Sequence, residues 1–159
     1  MVRPDDLHLE RLAPEQVQPL RTKILRPHFD EGELCEFVQD HHHDTAHYGI
    51  VDRDFDVHAV VTYIHKECPH KPGVEALQLR GMCVDEPMQR RGLGERLLEG
   101  SLGQLAVRFP SVKIVWCNAR TSAVEFYEKM GFEKIGEVFE VDRIGPHVVM
   151  WKTLPVALA

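Results

Sequence analysis

Apolar and polar positions divide the chain into stretches of strand period and helix period. Leu7 and Leu9 alternate with His8 and Glu10, which predicts a short strand. Pro14 can then occupy the first turn of a helix whose apolar face is Val17, Leu20, Ile24 and Leu25. Pro19 removes an amide inside that helix, so the helix must start late or bend, and Pro27 should end it. The apolar patch 34–38 reads as a short helix, and the run Gln39-Asp40-His41-His42-His43-Asp44 as the loop that follows. Residues 48–52 and 57–65, separated by an acidic turn, read as a hairpin, and 77–84 as a third strand.

The period changes at Gly92. Leu93, Leu97, Leu98, Leu102, Leu105 and Ala106 recur at helical spacing as far as Arg108, and Pro110 stops the pattern. Residues 113–118 show no polar alternation in Ile114-Val115-Trp116, as in a strand covered on both faces and running parallel to its neighbour. Ser122 and Glu125 have capping-box spacing, with Thr121 as a competing cap, and Gly131 is placed as a left-handed stop for that short helix. Residues 132–141 and 147–154, joined around Gly145-Pro146, form a terminal hairpin. The order is strand, one or two helices, three strands, helix, strand, helix, two strands. The early strands are hairpin-linked, whereas the helix from Gly92 is long enough to be a crossover between parallel strands. The expected fold is therefore α/β (α+β), a mixed, mostly antiparallel sheet of about seven strands with helices on both faces.

Composition narrows the function classes. The length of 159 residues suits one compact domain. Lysine and arginine number 19 against 25 acids, a formal charge of -6, opposite to the footprint of a nucleic-acid binder. Cys35, Cys68, Cys83 and Cys117 form no C-x-x-C pair and read as buried free thiols of a reducing compartment. No apolar run approaches the roughly 18 residues of a membrane span, and the first ten residues are charged, unlike a signal peptide. A cytoplasmic protein with neither nucleic acid nor membrane as partner is expected.

The most informative segment is 79–94, a strand that turns directly into a helix. Gly92 and Gly94 lack a β-carbon where the turn closes, so backbone amides there can converge on a phosphate. The helix N-terminus adds roughly half an elementary positive charge, and Arg90 and Arg91 bring full charges to the same turn. The spacing is not the dinucleotide fingerprint, which needs G-x-G-x-x-G, and no Gly-Lys-Ser or Gly-Lys-Thr follows to make a P-loop. Alternatively, Gly-x-Gly merely starts a helix.

With these residues in view, the chain resembles the GNAT superfamily of acetyl-coenzyme A (acetyl-CoA) dependent N-acetyltransferases. The family signature Q/R-x-x-G-x-G/A appears as Gln89, Gly92 and Gly94, after the strand end Met82-Cys83-Val84-Asp85. Trp116-Cys117-Asn118-Ala119-Arg120, the segment from Ala123 through Phe126-Tyr127 to Gly131-Phe132, and Gly145-Pro146-His147 are similar to a bacterial branch of it. The resemblance implies a single GNAT domain over 1–159 in which the strands ending near Val84 and Asn118 splay apart to admit the pantetheine arm of acetyl-CoA. It implies cofactor contacts from Met82, Cys83, Val84, Gln89, Arg90, Arg91, Gly92, Leu93, Gly94, Asn118, Ala123 and Phe126. Backbone groups of the splayed strand would pair with pantetheine as an added strand does, and an amide near Cys83 or Val84 would donate to the thioester oxygen.

The acceptor is expected to be a primary amine, attacking directly with no acyl-enzyme. Tyr127 is the expected proton donor to the leaving thiolate, its alternative being a core aromatic beside Phe126. For the base, His147, Glu140 and Glu75 stay open, with His147 titrating nearest neutrality. Arg80 could grip an acidic group on the acceptor. A non-catalytic acyl-CoA sensor is the competing reading, and the terminal hairpin could pair across a homodimer. The cluster His41, His42, His43, Asp44 and His47 lacks H-E-x-x-H spacing, and adjacent histidines are expected to point to different sides, so no metal is assigned. Cys83 has no paired base and is expected to be buried.

Overall fold

The computed structural model describes residues 4–155. Seven strands, β1 (His8–Leu12), β2 (Ala46–Val51), β3 (Val57–His65), β4 (Ala76–Val84), β5 (Ile114–Arg120), β6 (Glu133–Val141) and β7 (Gly145–Thr153), form one sheet in the order β1-β2-β3-β4-β5-β7-β6. The helices are α1 (Pro14–Leu25), α2 (Leu93–Arg108) and α3 (Val124–Lys129). Strands β1 and β2, β2 and β3, β5 and β7, and β6 and β7 pair antiparallel, while β4 and β5 pair parallel, as expected from the unbroken apolar run at Ile114. Among the described residues no helix is long and apolar enough to cross a membrane.

The chain forms two compact units that share β4 and α2. The first runs to Ile64 and adds Gly81–Ser101. Its apolar core joins Leu12, Val17, Leu20, Val51, Val60 and Cys83. The second comprises His65–Arg80 and the chain from Leu102 onward, with a core of Cys68, Ala76, Ile114, Trp116 and Val149. Burying a side chain such as Val17 or Leu20 stabilises the fold by about 1.5–3 kcal/mol.

Helix α1 starts at Pro14 and continues through Pro19 to Leu25, so the proline does not delay it. Oε1 of Gln16 accepts the amide of Ala13 at 2.8 Å and secures that start. Residues 34–38 are not the expected short helix. Leu34 and Val38 are exposed, the latter at 98%, while Cys35 is buried and Phe37 half-buried, an alternation that lacks helical spacing. The segment's backbone is tied to side chains instead: the Cys35 amide donates to Oγ1 of Thr22 and the Phe37 amide to Oδ2 of Asp40. The capping box at Ser122 is also absent. A 3-10 turn over Thr121–Ala123 precedes α3, whose N-cap Ala123 makes no side-chain bond. The last turn lies at 142–144, with Arg143 at φ 65°, and Gly145-Pro146 already belong to β7.

A polar network lies inside the first unit. Arg21 and Asp40 are almost wholly buried and paired twice, Nη1 to Oδ2 at 2.7 Å and Nη2 to Oδ1 at 3.1 Å. Gln18 donates to the same carboxylate, and Nη2 of Arg21 also donates to Oγ1 of Thr62. The ring of His47 closes the chain. The Asp40 carbonyl can only accept, so Nε2 of His47 donates to it at 2.9 Å, and Nδ1 accepts from Oγ1 of Thr62 at 2.8 Å. Burial pushes the His47 pKa below its usual value, and the ring is neutral. Burial alone would raise the Asp40 carboxyl, but the hydrogen bonds from Arg21, the Phe37 amide and Gln18 bring it below the ordinary carboxylate range.

Both shifts act in one direction. Below the unfolded histidine pKa near ~6.5, the unfolded chain takes up a proton that folded His47 refuses, and stability falls as pH falls. Asp40 adds a second loss only below the carboxylate range near ~4. The melting temperature should therefore drop between pH 7.5 and 5, and His47→Gln should flatten that slope. An unaltered slope in the variant would show that His47 does not set it.

Candidate functional site

In the first unit, β4 ends at Val84 and the chain makes a 3-10 turn over Glu86–Met88 before α2. Oδ1 of Asp85 accepts the Glu86 amide and the ammonium of Lys23, fixing the start of the turn. Nε2 of Gln89 reaches back to the Val84 carbonyl at 2.9 Å. Met88 and Leu93 are buried and anchor the two ends. Between them Arg90 and Gly92 both take left-handed backbone, at φ 64° and 78°. A Cβ on Gly92 would meet nothing within 4 Å, so conformation rather than crowding calls for glycine there. The first amides of α2 have no partner within the helix, which leaves donors at Leu93 and Gly94. Arg90 and Arg91 are exposed beside them. Such a turn suits an anion.

Met82 and Val84 are half-buried, while Cys83 is buried with Sγ 3.9 Å from the Leu20 carbonyl. Burial pushes the Cys83 thiol up to about 12, so it is not a nucleophile near neutrality. The parallel ladder of β4 and β5 spans three pairs, Ala76↔Ile114, Leu77↔Val115 and Gln78↔Trp116, and each strand runs on beyond it.

In the second unit, Asn118 is exposed on β5 opposite Val149. Ala123 and Phe126 are half-buried, while Tyr127 is buried against two rings, Phe126 at 5.2 Å and Phe132 at 5.3 Å. Helix α3 stops in a Schellman motif: the Phe132 amide donates to the Tyr127 carbonyl, the Gly131 amide to that of Glu128, and Gly131 has φ 92°. The same motif packs Phe132 onto Tyr127 and fixes the tyrosine's place. Burial raises the Cys117 thiol to about 12 despite a hydrogen bond with Tyr127.

His147 is buried in β7 opposite Arg120 of β5 and Phe139 of β6, stacked on the Phe139 ring. Its Nδ1 lies 2.8 Å from the Gly145 carbonyl, which can only accept. The proton therefore sits on Nδ1, and in the neutral ring Nε2 keeps its lone pair, as a proton acceptor needs. Glu75 and Glu140 are exposed, and Arg80 is half-buried.

His42 and His43 do not point apart as expected. Their rings stack at 4.6 Å, and with Asp44 they bring three ligand-type atoms within 4.8 Å of one another on an exposed loop. Sequence reasoning also missed the Arg21–Asp40 pair. Its signal lay in the helical spacing, because Arg21 stands four residues after Val17 and three before Ile24, on the apolar face.

Residues 38–154 match a family model described as an acetyltransferase (GNAT) domain. An uncharacterized N-acetyltransferase, YitI of Bacillus subtilis (strain 168), is 32% identical over 148 residues, covering 93% of this chain and 97% of that protein. Two solved structures share the fold. ElaA of Escherichia coli has a TM-score of 0.72 at 18% identity, covering 92% of this chain and 99% of its own. An aminoglycoside 6'-N-acetyltransferase complexed with coenzyme A has 0.70 at 13%, covering 96% and 99%.

Proposed function

The chain belongs to the GNAT acetyltransferase family, and from that membership we propose that it moves the acetyl group of acetyl-CoA directly onto a primary amine. The observation that carries the reading is the turn 89–94, where left-handed Arg90 and Gly92 lead into the N-terminus of α2. Its main-chain donors and the arginines beside them would hold the diphosphate of the cofactor. Asn118, Ala123 and Phe126 would complete the cofactor contacts. The related fold solved with coenzyme A adds support to this choice of ligand.

The chemistry needs three groups. The amine nitrogen attacks the thioester carbon, and the oxygen that becomes negative takes a hydrogen bond from a main-chain amide at Cys83 or Val84. One such donor is worth about 10²-fold or more in rate. The proton lost by the amine goes to Nε2 of His147, directly or through water. When the C–S bond breaks, the coenzyme A thiolate takes the Tyr127 hydroxyl proton. A phenol with a pKa near ~10 is close enough to an alkyl thiol for that transfer.

The test is release of free thiol from acetyl-CoA in the presence of a panel of primary amines. Amine-dependent release, with little when amine is omitted, is the expected result. Binding of acetyl-CoA without such release would make the chain an acyl-CoA sensor instead.

A further inference from the structure

The network buried around Arg21 reaches strand β4 at Gly81. Asp40 accepts a hydrogen bond at each carboxylate oxygen, but Nε of Arg21 is buried with no hydrogen-bond partner. Packing accounts for its position. The Phe37 ring centre lies 3.9 Å from the guanidinium carbon, and a Cβ on Gly81 would come within 3.0 Å of Nε and 3.1 Å of the Phe37 ring. Gly81 has φ 60°, left-handed backbone inside a strand, immediately before residues 82–84. A left-handed residue in a strand bends it and re-aims the groups that follow.

We propose that Arg21 is a positioning residue for acetyl transfer: clamped by Asp40 and Thr62, it braces the kink at Gly81 and thereby sets the course of the 82–84 main chain. The inference rests on the reading of that main chain as the partner of the thioester. Arg21 touches no reacting atom and acts through Gly81. Its planar fork matters here, because two nitrogens hold both oxygens of Asp40 while one of them also reaches Thr62. A lysine ammonium is a single point charge and cannot span those partners.

The test uses the full chain with Arg21→Lys, and Phe37→Leu as a second variant that leaves the ion pair intact. Four quantities are read: hydrogen exchange without ligand at the Asp85 amide, which donates to the His58 carbonyl at 2.8 Å just past residues 82–84, melting temperature, and kcat and KM for acetyl-CoA with the most active amine. In folded Arg21→Lys, exchange at the Asp85 amide should accelerate at least about tenfold while the amides of β6 and β7 keep their rates. Turnover should fall at least about tenfold with KM within about threefold of the parent. Phe37→Leu should shift both in the same direction by less, and it decides the matter if Arg21→Lys does not fold. Unchanged exchange and kcat in a folded variant overturn the proposal, as does a loss that only follows the unfolded fraction. If the parent chain itself releases no thiol with any amine, the functional reading fails, and the exchange data still report whether Arg21 braces the strand.

Discussion

Tyr127→Phe should lower turnover about 10²-fold while affinity for acetyl-CoA stays within about threefold. The substitution is clean because the ring is held by carbon contacts: Phe126 and Phe132 pack on it, and the Schellman motif after Lys129 fixes its backbone. Phenylalanine keeps those contacts and removes only the hydroxyl. The hydrogen bond with Cys117 is lost with it, about 0.5–1.5 kcal/mol, and the ring packing that remains should keep the variant folded. Separate measurement of kcat and of acetyl-CoA dissociation distinguishes the roles. Unchanged turnover would leave Tyr127 as a packing residue and send the thiolate's proton elsewhere.

The parts of the fold that were legible in the sequence are those where one face is buried and the period is long. Leu93 through Ala106 gave α2 almost to the residue, because its apolar stripe repeats over four turns before Pro110. Ile114-Val115-Trp116 announced a strand covered on both sides, and all three are buried. Gly131 was readable because only a left-handed stop accounts for glycine after Met130. The failures share a cause as well. At 34–38, five residues carried too little pattern to show that Leu34 and Val38 face solvent, and the backbone bonds that organise the segment come from Thr22 and Asp40. The Ser122 and Glu125 spacing was a local coincidence that the 3-10 turn overrode.

At the candidate site, the tight turn at Gly92 was readable because left-handed backbone restricts residue type. His147 illustrates the opposite limit. Its residue type suggested a base, but the proton's location depends on the Gly145 carbonyl, which no spacing rule reports. Arg21 was hidden for a related reason: a charged residue on an apolar helix face is visible in sequence, whereas its partner nineteen residues away is not.

On the proposed reading, main-chain donors of the turn 89–94 would grip the cofactor. Gly92 sits at φ 78° with open space where a Cβ would go, so Gly92→Val would fit sterically and fail conformationally. A left-handed β-branched residue costs about 1–3 kcal/mol, and the turn would relax to another backbone with its amides redirected. The fold should survive, since Met88 and Leu93 anchor the segment on either side. The measurement is calorimetric titration of acetyl-CoA into the parent chain and into folded Gly92→Val. The parent should bind, and the variant should bind at least about tenfold more weakly, in line with a turn strained by about 1.4 kcal/mol or more. Equal affinities would place the diphosphate elsewhere and contradict the account.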